Sequence, residues 1–369
     1  MDAVRRTLPA TQILEGIDAL LFADETDRQL AHMYASPHFL SDFKLLPPSV
    51  NVFLARSLEL RGLPLLYQQS GDGIQVLNEQ MALSGPELQA FARSMFDAYP
   101  EARRVVFPVV MPPGEAAQLP SSQFNITQDM VLPLPATREQ YEQALSKSTR
   151  SALKRYQNKL EREHAPVQLE ILRPGQDDAR ALCMLERVLE LNRQRMRKRG
   201  QVSKVDEAEA RAVRLSFLRC GMLVLLRAGD EIVAGTINYR FGDNCFLYLL
   251  AHDTRYDRYS PGMLCCYLTI LECIRDQQRE YHFLWGQYEY KFRLLAQQRD
   301  LVRLTLYRSH AYRQWATRFG LRPRLANLRY ALRNRMVMCA LGRGGEAPLD
   351  RVLGALVTLL KKVRSQAAG

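Results

Sequence analysis

Tyr281-His-Phe-Leu-Trp-Gly-Gln-Tyr-Glu-Tyr-Lys291 decides the fold, read together with Tyr259-Ser-Pro-Gly-Met-Leu264, from which one apolar helix separates it. The later stretch reads as a strand over 281–285, then Gly286, then a polar aromatic turn that closes on Lys291. The earlier one is a turn feeding an apolar helix that runs from Met263 to Cys273. A helix that begins at Ser-Pro-Gly leaves several backbone N–H groups without intrahelical partners, which makes an anion site. A lysine placed just after the next strand can reach the same crevice. Its compact ammonium suits phosphate or carboxylate.

Working outward, residues 222–228, 231–240 and 244–251 are apolar, β-branched runs that read as strands. Ala228-Gly-Asp-Glu231 is a hairpin turn and Phe241-Gly-Asp-Asn244 a second turn. Helices are predicted at 149–164, 177–198, 206–219 and 261–278, with strands at 166–172 and 301–307. Thr137, followed by Glu139 in the first turn, caps a helix before them.

Residues 1–135 read as a separate α/β unit. A helix is expected over 10–22 and another over 86–99. Strands are expected at 51–57, 63–69, 74–77, 105–110 and 130–134, with a polar loop over 118–125. Residues 311–369 form a third section, expected to hold helices at 311–319, 324–341 and 349–363, with breaks at Gly320-Leu-Arg-Pro323 and Gly342-Arg-Gly-Gly345. The last helix is amphipathic and ends in Lys361, Lys362 and Arg364. It suits docking on the main body or on an anionic lipid surface.

At 369 residues the chain is long for one domain, and its 47% hydrophobic content is ordinary for a globular protein. No apolar run is long enough to span a bilayer and no leader is evident, so the expected location is cytoplasmic, or peripheral at the inner face of the membrane. The seven cysteines lack metal-ligand spacing and read as free thiols; no metal is expected. Charge is uneven. The net charge is +12, of which residues 311–369 hold +10, with Glu346 and Asp350 their only acids. A near-neutral body with a basic extension is not a DNA binder's pattern, and no DNA-binding motif is present.

The order of these elements resembles the GNAT superfamily of N-acetyltransferases. The similarity extends over residues 145–308, from Ser148-Thr-Arg-Ser-Ala-Leu-Lys-Arg155 through Asn192-Arg-Gln-Arg-Met-Arg-Lys-Arg-Gly200 to Tyr290-Lys291. The branch it is similar to holds the CelD/BcsL-like acyltransferases of exopolysaccharide biosynthesis and the FemAB-type aminoacyl transferases. Trp285-Gly286 followed by Tyr290-Lys291 also resembles the Mig-type antimicrobial-peptide-resistance proteins. The resemblance implies an α/β (α+β) fold of tandem GNAT-like domains with mixed central sheets flanked by helices, plus the basic helical tail. The implied units are a degenerate GNAT-like domain at 1–135, an acyltransferase domain at 136–310 and the tail at 311–369.

The implied chemistry is attack of an amine or hydroxyl on a thioester, with acyl-CoA (acetyl-CoA) as co-substrate. The usual Gly-rich pyrophosphate loop is replaced by Arg255-Tyr-Asp-Arg-Tyr-Ser-Pro-Gly262, so Tyr259, Ser260, Pro261, Gly262 and Met263 are the candidate donor site. His252, at a strand end, and Glu289 are candidate bases, with Asp253 beside them. Tyr248 is a candidate proton donor to the leaving thiolate, and Lys291 matches the lysine of the branch. In a strand, Glu289 and Lys291 would share a face opposite Tyr290. Arg150, Lys154 and Arg155, with Trp285, Gly286 and Tyr290, are the implied acceptor-binding set. The five cations between Arg193 and Arg199 cannot all share one helical face, so some of them are simply solvated.

Three functions follow from the resemblance. One is acyl transfer to an anionic glycan or cell-envelope or exopolysaccharide precursor. Another is aminoacyl transfer from charged tRNA. The third is a non-catalytic, membrane-associated resistance factor that works through its tail.

Overall fold

The computed structural model describes residues 11–342, apart from 25–26, 28–31, 48, 57–60, 116–117 and 320. The expected helix at 349–363 lies outside them. The N-terminal part runs β1 (Thr11–Ile17), a 3-10 turn (Ala19–Phe22), a second (Met33–Ala35), α1 (Pro37–Asp42), β2 (Val50–Arg56), β3 (Arg61–Ser70), β4 (Gly73–Val76), α2 (Gly85–Ala98), β5 (Arg104–Val110) and β6 (Ser121–Pro133). Next come α3 (Arg138–Ala144), α4 (Lys147–Glu163), β7 (Val167–Leu172), α5 (Asp178–Lys198) and α6 (Glu207–Cys220). After them lie β8 (Gly221–Ala228), β9 (Glu231–Phe241), β10 (Asn244–His252), a 3-10 turn (Thr254–Tyr259), α7 (Pro261–Arg275), β11 (Glu280–His282), α8 (Glu289–Arg293) and β12 (Gln297–Tyr307). The described chain closes with α9 (His310–Phe319) and α10 (Leu321–Ala340).

All the described strands join one mixed sheet in the order β1-β2-β3-β4-β5-β12-β6-β11-β10-β9-β8-β7. Thus β12 crosses over to pair antiparallel with both β5 and β6. Val302, Leu304 and Leu306 of β12 pack into the core beneath α2, with Phe91, Met95 and Phe107. In the other half, α7 packs one face of the sheet, with Tyr141 and Leu153 beside it. On the opposite face α5 and α6 pack with Phe39 of α1, Met33 and Tyr34. α10 lies against β6, and its Tyr330 Oη donates to Asp300 Oδ1 of the neighbouring β12 at 2.8 Å.

Three elements differ from the sequence reading. Residues 11–17 are a strand and not a helix: Thr11 to Leu14 pair with Ala55 to Val52, and Gly16, at φ +64°, interrupts the register. Ladder hydrogen bonds to β2 override a helix-like apolar spacing. The polar stretch 118–125 is mostly strand. β6 is one continuous run whose polar residues pair with β12 in the middle of the sheet. α10 begins at Leu321, so Pro323 sits inside its first turn, where no backbone donor is needed.

Candidate functional site

β10 and β11 run parallel for three residue pairs, Asn244–Glu280 to Phe246–His282, and then part. β10 continues to His252, with a bulge against β9 at Tyr248, while the other branch curls away through Phe283 and Leu284. The fork opens a cleft of about 560 Å³. Leu247, Leu250 and His252 of β10 line one wall, and Phe283, Trp285, Tyr288 and Tyr290 the other. The start of α7, Ser260 to Met263, closes the far end, and Arg195, Met196 and Arg199 from the last turn of α5 stand over it.

Ser260 precedes α7 in the left-handed region (φ +46°), and its side chain does not cap the helix. The first backbone donors of α7 therefore face the cleft without a side-chain acceptor. His252 Nε2 lies 2.9 Å from Asp257 Oδ1, while its buried Nδ1 has no partner. Asp257 accepts Nε2–H, so the free lone pair belongs to Nδ1. Burial, aided by Arg195, holds the imidazole below its ordinary pKa, so it is neutral near pH 7. A Cβ on Gly262 would stand 3.3 Å from that Nδ1 and 3.4 Å from Leu250 Cδ2. Glycine keeps the space between them open. Arg195 Nε is also buried without a partner, and burial lowers its pKa. An anionic ligand at the start of α7 would satisfy it.

Lys291 is where the structure departs furthest from expectation. The chain around it is α8 and not a strand, because the β11 pairing, Glu280 to His282, ends before it. Lys291 is only 2% exposed, and Nζ donates to three successive carbonyls, of Phe283 (2.8 Å), Leu284 (3.2 Å) and Trp285 (2.6 Å). These bonds hold the curl in which Leu284 adopts φ +55°, rare for a bulky residue. Burial pulls the Lys291 pKa from 10.5 down to about 8. The ammonium lies beside the cleft but serves the backbone that shapes it, so its donors are not available to an anion.

Other predicted residues separate in the same way. Ser260, Pro261, Gly262, Met263, His252, Trp285 and Tyr290 meet at the cleft. Tyr248 lines it, but its hydroxyl donates to Glu209 and not toward the fork, and burial raises its pKa. Tyr259 is buried outside the cleft, donating to Glu163 Oε2 at 2.7 Å, with His164 Nε2 3.0 Å away. Glu289 is exposed on α8 and does not share a face with Lys291 as in a strand. Arg150 caps α3 through the carbonyls of Glu142, Gln143 and Leu145, so it binds backbone and not an acceptor. Lys154 and Arg155 are exposed on α4 and are not among the residues lining the cleft, and Asp253 is held by Arg255. Gly286, at φ +87°, is required because a Cβ there would lie 2.6 Å from the Tyr288 ring. Arg195 and Arg199 line the cleft although the sequence reading, which named them among the cations ending the helix, did not include them in the candidate site. They stand four apart on the basic end of α5, a spacing that puts those two cations on one face.

Residues 147–292 match the family model described as an acetyltransferase (GNAT) domain. This segment is a GNAT-type acyltransferase domain. It contains the cleft-lining elements α5, β10, α7 and the start of α8. The fold reaches beyond the GNAT domain. FemX matches with a TM-score of 0.59 at 9% identity, covering 79% of this chain and 96% of that one. The C-terminal domain (DUF2156) of a putative lysylphosphatidylglycerol synthetase from Agrobacterium fabrum matches at 0.51 and 9% identity, covering 82% and 96%. L-PGS from Bacillus licheniformis matches at 0.50 and 13% identity, covering 84% and 96%. At such identities the likeness is one of fold. No curated protein matches the chain in sequence.

Beside the GNAT cleft, His282, Asp129 and His32 form a buried cluster whose nitrogen and oxygen atoms lie within 4.8 Å of one another. His282 Nδ1 donates to Asp129 Oδ2 at 2.6 Å, and its Nε2 faces Glu280 Oε2 at 3.2 Å. Two donors on one tetrahedral zinc stand roughly 3.3 Å apart, so the shorter contact is a shared proton. His32 Nδ1 accepts from the Tyr34 N–H, which leaves the proton on Nε2, facing Asp129 at 3.6 Å. Burial lowers His282, but its bonds to Asp129 and Glu280 outweigh this and raise its pKa. Burial alone dominates at His32, which falls to about 4. The cluster ties β6 and β11 to the segment before α1 and stacks beneath Phe246 at the fork, with ring centroids of His282 and Phe246 4.3 Å apart.

Proposed function

We propose that the protein is an acyl-CoA-dependent N- or O-acyltransferase acting on a cell-envelope or exopolysaccharide precursor. The observation that carries this reading is the unpartnered His252 Nδ1 beside the uncapped start of α7, at the mouth of a forked parallel strand pair. The backbone donors of α7, with Arg195 and Arg199, would hold the donor's pyrophosphate, since helix start and guanidinium both favour anions. Leu247, Leu250, Met263 and Phe283 give the fork an apolar interior suited to the rest of the donor. When bound, the co-substrate supplies an activated thioester carbonyl. Neutral His252 takes the acceptor's proton at Nδ1, and Asp257 steadies the resulting imidazolium through Nε2. Trp285 is half exposed and stacked on Tyr34 (5.1 Å between centroids), and with Tyr288 it forms an aromatic rim for the acceptor.

Thermal unfolding with coenzyme A and acetyl-CoA tests this. Ligand at about 100 times its Kd should stabilise the chain by ~2.7 kcal/mol. His252→Gln should keep that shift and lower kcat about 10²–10⁴-fold. Absence of any shift would overturn the donor assignment. Full turnover in His252→Gln would overturn the base. The fold likeness to FemX and to a lysylphosphatidylglycerol synthetase supports a second reading, aminoacyl transfer. On that reading charged tRNA, and not coenzyme A, would bind, and binding would fall steeply with salt.

A further inference from the structure

α10 has two faces, and only one is accounted for by packing. Asn327, Tyr330, Asn334 and Val337 turn toward β6 and are partly covered. On the opposite side Leu325, Leu328, Leu332 and Met336 recur at intervals of three and four residues and are 50, 55, 38 and 40% exposed. Arg324 and Arg335 border this stripe on one side, Arg329 and Arg333 on the other, and all four are exposed. The helix holds five arginines and no acid in its twenty residues. A helix that only docks on its own body needs polar residues outward. This one carries leucines there, bounded on both flanks by cations.

We infer that the outward face of α10 docks on an anionic lipid bilayer. The stripe enters the boundary between headgroups and acyl chains while the arginines, with long apolar stems, reach the phosphates alongside. Charge selects this occupant over the others. A second copy packed face to face would set arginine against arginine. The chain's own residues 349–364, with Arg351, Lys361, Lys362 and Arg364 against one acid, Asp350, carry the same sign. A bilayer rich in acidic lipid offers the opposite sign and an apolar layer at once. The inward face of the same helix reaches the cleft: Gln287, between Trp285 and Tyr288 on the rim, bonds to Asn334 of α10. Among the described residues no helix is long and apolar enough to cross a membrane, so the contact is one of surface binding.

Flotation of the full chain with vesicles of phosphatidylcholine alone, or mixed with phosphatidylglycerol, tests the inference. The protein should float with the mixed vesicles and stay behind with neutral ones, and added salt should release it. Leu328→Glu with Leu332→Glu, and separately Arg329→Glu with Arg333→Glu, should each weaken partition by more than tenfold. Circular dichroism checks that both variants fold, which is expected because all four side chains face outward. The inference is overturned if the wild type ignores phosphatidylglycerol. It is equally overturned if both double variants bind as well as wild type, which would place the lipid contact elsewhere. A dimer in solution that Leu328→Glu with Leu332→Glu dissolves would assign the stripe to a second copy instead.

Discussion

Replacing Lys291 by methionine keeps the length of the side chain and removes only the charge. In the folded protein Nζ satisfies the carbonyls of Phe283, Leu284 and Trp285, and only that of Leu284 has another donor, the Met130 N–H at 3.2 Å. Each hydrogen bond to a charged group contributes about 1.5–3 kcal/mol, and of the two carbonyls left bare that of Phe283 is buried and that of Trp285 partly so. Keeping the ammonium out of water costs about 3 kcal/mol, the equivalent of its fall from pKa 10.5 to about 8. Methionine does not carry that cost, so the expected net loss is about 2–4 kcal/mol near pH 7. The pH dependence has a definite sign. The folded pKa lies below the unfolded one, so the desolvation cost is present in full below about 8 and is lifted as pH rises toward 10.5. The gap between wild type and Lys291→Met should therefore widen by about 2 kcal/mol between about pH 7 and pH 9.5. Urea unfolding followed by tryptophan fluorescence reads both quantities. A loss below ~0.5 kcal/mol, or a gap that does not change with pH, would refute the assignment of Lys291 to the backbone carbonyls.

Gly262→Ala places a methyl group between His252 and Leu250 without a strained φ, so the fold should persist while KM for the donor rises about tenfold; initial-rate kinetics decides. Gly286→Ala meets both a positive φ and the Tyr288 ring, and should cost about 1–3 kcal/mol in chemical denaturation. The seam cluster predicts a bell in stability. The His282 contribution is present below about 6.5 and lost as pH rises through its raised folded value. Those of Glu280, held at about 2, and Asp129, also depressed, are present above 4.5 and 3.8 and lost as pH falls. The wild-type advantage over His282→Gln should peak between about pH 4.5 and 6.5, as urea midpoints across pH would show.

The central meander was legible because local signals agree there: β8, β9 and β10 carry continuous apolar runs, and Gly229 and Gly242 take the positive φ their turns need. β1 and β6 were not, for opposite reasons. β1 has helical apolar spacing and becomes a strand only through β2. β6 is polar in its middle, yet its backbone is held by β12 along nearly its whole length, a pairing between residues far apart in sequence. That His252 and the start of α7 line one cleft could be read because a strand end and a Ser-Pro-Gly turn have local meaning. Arg150 and Lys291 misled, since a cation that binds carbonyls looks in sequence like one that binds substrate. Only the fold shows which partner it has.

The crossover of β12 also sets the order in which the molecule can be completed during synthesis. The core under α2 needs Val302, Leu304 and Leu306, yet its other strands are finished by Val110. At ~5–20 residues per second a ribosome takes about 10–40 s to travel from residue 110 to residue 302. Through that interval β5 presents an unpaired edge, and the N-terminal half waits for a strand made last. A nascent chain stalled before residue 297 would thus hold an open sheet, its β5 edge exposed to pairing with any other strand until β12 is made.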